Sequence, residues 1–236
     1  MPAFCIGAAC AAFAAWAYRL LPDKWVCDYG ETPAAHHGKA ARRLPMWAMV
    51  LLAVLGGACT YCTTAHLFPQ GWCLPVTALL YAALLLAAVC DIQYQILPDE
   101  LLAAAAVLGL MLLCSSGMQQ LHGAWWRALA AGAAGFGGLW LILFVAAKLY
   151  KTEAVGFGDV KLCGVAGLLC GFAGLSVCLL AAVLSAALVF GILLLCGKVQ
   201  RRSTLAFGPF IVFGICIALG LWPEWHAALA WYLSLF

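Results

Sequence analysis

Between Val160 and Gly197 the chain runs for 38 residues with a single charge, Lys161, near its start. A helix crosses the ~30 Å hydrocarbon core of a bilayer with about 20 apolar residues. The run is too long for one crossing and too apolar for a helix facing water. It has to fold back on itself, and GFAG at 171–174 is where the sequence offers a turn. Composition points the same way. The chain is 67% hydrophobic and 9% charged, against roughly 25% charged in soluble domains. A soluble fold of this size would lack the polar surface to cover its core. The sequence therefore predicts an all-α polytopic membrane protein.

The same ruler places spans near 3–21, 46–66, 74–90, 100–115, 125–147, 160–172, 174–196 and 207–222, about eight transmembrane helices. The first has no basic residue before its apolar run and no cleavage site, so it reads as a retained span. With eight spans, alternate loops share a side. One side collects Arg19, Lys24, Lys39, Arg42, Arg43, Lys148, Lys151, Lys161, Lys198, Arg201 and Arg202, and the other keeps only Arg127. By the positive-inside rule the first side is cytoplasmic, which puts both termini outside. The net charge is +3 and its basic residues sit in short clusters at span ends. That pattern is a topology signal for membrane lipid and excludes nucleic acid as a partner. Residues 1–45 form a first span with a short loop, and 46–236 form a membrane-embedded core.

Thirteen cysteines might suggest a disulfide framework, but most lie inside apolar runs, where a free thiol packs as a small hydrophobe. CTYCTTAH at 59–66 offers a C-x-x-C and His66, yet structural zinc sites generally need a second such half. Cys27, His36 and His37 lack a fourth ligand. No metal is expected.

The acids are more informative. Asp23, Asp28 and Glu31 belong to the polar loop 22–45, Glu153 to a basic loop, and Glu224 to the tail. Asp99 and Glu100 follow Pro98 at a helix start, where an Asp can cap and both suit the helix dipole. Asp91 and Asp159 remain. Asp91 follows the uncharged run 74–90, and Asp159 stands at the head of the 38-residue run, after Gly156 and Gly158. Glycine permits positive φ or a close backbone approach, neither of which a plain helix cap requires. The charge bias puts both carboxyls at one membrane face. Two carboxylates a few ångströms apart in a low-dielectric site share a proton. One can then take a proton from water while the other polarises a carbonyl, as in aspartic proteases. No nucleophilic Ser, Cys or His is required, and the five histidines sit in loops or at span edges.

VGFGDVKL at 155–162 resembles the GxGD motif of type IV prepilin peptidases, which are intramembrane-type aspartic proteases. Three further stretches agree in order and position. CDIQYQILPDEL at 90–101 resembles the first-aspartate segment, LAFGPFI at 205–211 the start of a late span, and AAWAYRLLP at 14–22 the end of the first span. The resemblance implies that Asp91 and Asp159 are the catalytic pair and that Gly156 and Gly158 shape a loop beside the substrate. Gly208 and Pro209 are assigned to packing of the last span, and Lys161 to the membrane interface. The implied substrates are type IV prepilin or pseudopilin precursors, cleaved after a Gly that ends a short basic leader. The implied place is the cytoplasmic face of a bacterial inner membrane.

Proteolysis of this kind uses no cofactor. The family's second activity, methylation of the new N-terminus, uses S-adenosylmethionine, for which the sequence shows no binding motif. Members of the family often carry paired C-x-x-C motifs after the first span; here the short loop holds Cys27 alone. A single-function peptidase is thus one alternative. A small transporter with an acidic ion site is another, but it would place acids near the midplane and show repeat symmetry between halves, and the sequence shows neither.

Overall fold

The computed structural model describes residues 1–22, 44–68, 71–150, 156–197 and 206–234. The loop 23–43, with Cys27, His36 and His37, lies outside the described residues, as do Lys151, Glu153, Lys198, Arg201 and Arg202. Among the described residues the regular structure is helical: α1 (Pro2–Ala17) with a 3-10 turn (Tyr18–Leu20), α2 (Met46–His66), α3 (Cys73–Tyr94), α4 (Asp99–Leu112), α5 (Ser116–His122), α6 (Trp125–Tyr150), α7 (Phe157–Leu195), α8 (Gly208–Gly220) and α9 (Trp222–Leu233). Among the described residues, five helices are long and apolar enough to cross a membrane. The number is seven if the bent pairs α4–α5 (96°) and α8–α9 (75°) each count as one span. This is an all-α, multi-pass membrane protein.

The long run behaves as its length requires. The helical geometry of α7 is interrupted at Gly171, with φ 70° and ψ −179°. Gly135 of α6 packs against both the Cys163 backbone and the Leu175 side chain. Those residues would stand about 18 Å apart along a straight helix, at about 1.5 Å per residue. The chain therefore doubles back at Gly171, and its two legs, 157–170 and 172–195, lie side by side. An L residue would be strained at this φ, and its Cβ would come within 3.0 Å of His122 Nδ1. Gly171 opens the GFAG stretch.

Lipid tails are as apolar as leucine, so helices in a membrane associate through close packing, with small residues at the seams. Gly7 meets Thr60 and Gly56 meets Ala11 between α1 and α2. Gly167 rests on the Ala131 carbonyl and Gly132 on the Gly164 carbonyl between α6 and α7. Gly214 rests on the Cys178 carbonyl between α7 and α8. The small pattern GLLCG at 167–171 thus packs within the chain and then turns it. The described cysteines are free thiols, and Cys59 of α2 meets Cys216 of α8.

Two helices reach further than the apolar runs suggested. The run 74–90 is part of a helix that continues to Tyr94, and the run from 160 begins at Phe157. Asp91 and Asp159 therefore sit within helices, not beyond their ends. Hydropathy measures hydrocarbon thickness, whereas the helix continues until Gln95 adopts a left-handed conformation (φ 55°) ahead of Pro98. The short helices α5 and α9 were not among the expected spans.

Candidate active site

Four contacts gather one end of the bundle. The Tyr18 hydroxyl donates to Gln93 Oε1, joining the end of α1 to the last turn of α3. Gln95 then reverses the chain, its N–H still bonded to the Asp91 carbonyl at 2.8 Å. Leu97, placed before a proline and thus held out of the helical region, turns inward and is 8% exposed. Lys161 Nζ lies 2.6 Å from both carboxylate oxygens of Asp99, tying the start of α4 to the first leg of α7. Lys161 also lies over the Phe157 ring, 5.0 Å from its centroid.

Inside this frame are the two sequence-predicted carboxylates. Asp91 is 5% and Asp159 8% exposed. They are 68 residues apart in sequence, yet Leu97 packs against both Gly208, the donor to Asp91, and Gly158, the neighbour of Asp159. Asp91 comes from the last turn of α3 and Asp159 from the first turn of α7. The Gly208 N–H, at the head of α8, donates to Asp91 Oδ2 at 2.9 Å. Asp159 Oδ1 is buried with no hydrogen-bond partner among the described residues. A buried carboxylate oxygen without a partner is costly, and it is the atom that a water or a substrate group would satisfy.

The glycines divide. Gly158 packs on Leu97, where a Cβ would come 2.9 Å from Leu97 Cβ. Gly156 caps α7 at φ −67° with open space where its Cβ would be. Neither has the positive φ that the motif allows, and only Gly158 makes a close approach. Gly208, which sequence reasoning assigned to packing, touches the site directly. A Cβ there would lie 2.7 Å from Asp91 Oδ2 and 3.3 Å from Leu97 Cδ1. Pro209, whose missing N–H costs nothing in a helix's first turn, helps to start α8 at this point. Lys161 and Asp99 were each read as interfacial or capping residues, and the structure pairs them. The signal for Gly208 was present in LAFGPFI, but a Gly-Pro at a span start gives no hint of the carboxylate it faces.

Leu97 contacts both Gly158 and Gly208. The α3–α4 connection, the head of α7 and the head of α8 therefore meet around the two carboxylates.

A model of the type IV leader peptidase family matches residues 78–192, a segment that includes both aspartates. A prepilin leader peptidase/N-methyltransferase of Burkholderia pseudomallei (strain 1026b) is 31% identical over 216 residues, covering 82% of this chain and 68% of the relative. The chain belongs to the type IV leader peptidase family. Two more members bear the same printed name. That of Escherichia coli (strain K12) is 35% identical over 144 residues, which is 60% of this chain and 61% of the relative. That of Pectobacterium carotovorum subsp. carotovorum is 28% identical over 190 residues, 80% of this chain and 64% of the relative. The chain thus spans less than two thirds of the length of these last two. No solved structure matches it. Within the family frame, the matched segment ends before Gly208, so the donor to Asp91 lies beyond it.

Proposed function

We propose that this chain is a membrane aspartic endopeptidase that removes the leader from type IV prepilin-like precursors. Asp91 and Asp159 are the catalytic pair in this reading. The observation that supports it is that two buried carboxylates from distant parts of the family-matched segment are gathered around Leu97 through Gly208 and Gly158, one of them with an oxygen left unpartnered among the described residues. One carboxyl takes a proton from a water held between them, and the water oxygen attacks the scissile carbonyl. The other carboxyl donates a hydrogen bond to that carbonyl oxygen, and a proton then passes to the leaving amine. The Gly208 N–H holds Asp91 in place, and Leu97 wedges the α3–α4 connection against Gly158 and Gly208. Gly156 and Gly158 lie beside Asp159, where an extended peptide would pass. The precursors cleave after a Gly at the cytoplasmic face of a bacterial inner membrane, the face on which the basic residues of the sequence gather.

The relatives are named for N-methyl transfer as well, which would call on S-adenosylmethionine. The groove between α1 and α3, lined by Ala9, Phe13, Ala17, Leu79 and Leu86 among others, is walled by carbon and does not fit that charged cofactor. The test is to incubate the purified chain with a type IV prepilin, with and without added S-adenosylmethionine, and to weigh the product. The expected product begins at the residue after the leader's terminal Gly. Intact precursor, or cleavage elsewhere, contradicts the reading, and an added methyl group on the product reports the second activity.

A further inference from the structure

The helices around the dyad do not end at one level. Gly135 packs on Cys163 where α6 and the first leg of α7 run antiparallel, so Leu139 of α6 stands beside Asp159. From there α6 continues eleven residues, about 16 Å, to Tyr150. On the second leg, Cys178 bonds to the Ile211 carbonyl and meets Gly214 of α8. Because α8 starts at Gly208 on Asp91, Ala182 stands near the dyad's level. From Ala182 the second leg runs thirteen residues, about 20 Å, to Leu195. On the opposite flank the elements stop at the dyad. Tyr18 closes α1 against Gln93, α3 ends at Tyr94, and α4 begins at Asp99.

The two overhanging helices are apolar and face outward. On α6, Trp140, Leu141, Ile142, Phe144 and Val145 are exposed, and on α7 Val183, Leu184, Leu188, Ile192 and Leu195 are exposed. The first charge on α6 past the dyad is Lys148, over the Phe144 ring at 4.8 Å; on α7 none occurs before Leu195. The opposite flank has Arg19, Asp99 and Glu100 at the dyad's level, among the exposed Leu20 and Ile92, and its described helices stop there. Exposed hydrocarbon of this length is tolerated only in acyl chains, and a lysine at its tip suits lipid phosphates.

We propose that the overhang of α6 and α7 is embedded in acyl chains of the dyad-side leaflet, so that the bilayer surface steps across the molecule. On the α1–α3–α4 flank the polar surface meets the dyad. On the α6–α7 flank it lies about 16–20 Å beyond, as the helix rise dictates. Water and a polar peptide then reach the carboxylates from the first flank only. The partner is the lipid bilayer itself, and the inference is independent of what reaction the dyad performs.

Nitroxide-bearing noncanonical residues test this, placed singly at Ile92 beside the dyad on α3 and at Leu141 and Leu184 on the overhang. Each variant is studied as full-length chain, one copy per lipid nanodisc, with helical content checked. Accessibility is read with oxygen, which partitions into lipid, and a nickel chelate, which stays in water. The expected result is an inversion: nickel access dominates at residue 92, oxygen access at residues 141 and 184. Equal ratios on both flanks overturn the step. Low access to both probes at residues 141 and 184 means that the chain's own loops cover the wall, and also overturns it. A second pair, Val145 and Leu188, gives an independent reading if a first label disturbs the fold.

Discussion

Gly208 and Asp91 are 117 residues apart, and the bond between them leaves no room for a side chain. Gly208→Ala should therefore displace Asp91 and cut cleavage of a prepilin on the order of 10-fold or more, since misplacement by about 1 Å can cost 100-fold. Gly158→Ala should also lower activity, by pushing against Leu97, and Leu97→Ala in the same chain should restore part of it. Gly156→Ala should be close to neutral, because its φ suits any residue and the space is open. Steady-state cleavage rates of these four variants check all three expectations. Asp91 and Asp159 stood out in the sequence because a carboxylate beside a long apolar run carries a cost that demands a reason. Gly208 was not, because a backbone donor leaves no mark in the side-chain pattern.

At the scale of elements, the doubling-back of α7 was legible from length alone, and the left-handed Gly171 is its physical cause. Gly171→Ala should destabilise the fold by about 1 kcal/mol or more, from backbone strain and the clash with His122; thermal unfolding in detergent reads it. The ends of α3 and α7 were not legible. A hydropathy ruler stops with the hydrocarbon, whereas Gln93 and Tyr94 continue the helix and Phe157 begins one. The Lys161–Asp99 pair joins α4 to α7 with side chains 31% and 44% exposed. Being partly solvated, it should contribute at most about 1 kcal/mol. Asp99→Asn should shift the unfolding midpoint only slightly, less than Gly171→Ala does; a larger shift would assign the pair a bigger structural role than its exposure allows.

At the scale of the whole molecule, the fold is held by glycine and alanine seams that bring backbones together, and the seams set which helix ends coincide. That is how buried carboxyls 68 residues apart come to lie around the same Leu97. Composition and the lengths of the apolar runs made the all-α, multi-pass architecture legible. Which helices are neighbours was not, because every apolar face resembles every other until packed against its partner. The measurement that bears most directly on the dyad is cleavage of a prepilin by Asp91→Asn and by Asp159→Asn, each compared with the parent chain at equal membrane expression. Each variant should lose activity by on the order of 100-fold or more, the scale of a lost acid–base group, with expression and helical content unchanged. Near-normal processing by either variant contradicts a catalytic pair.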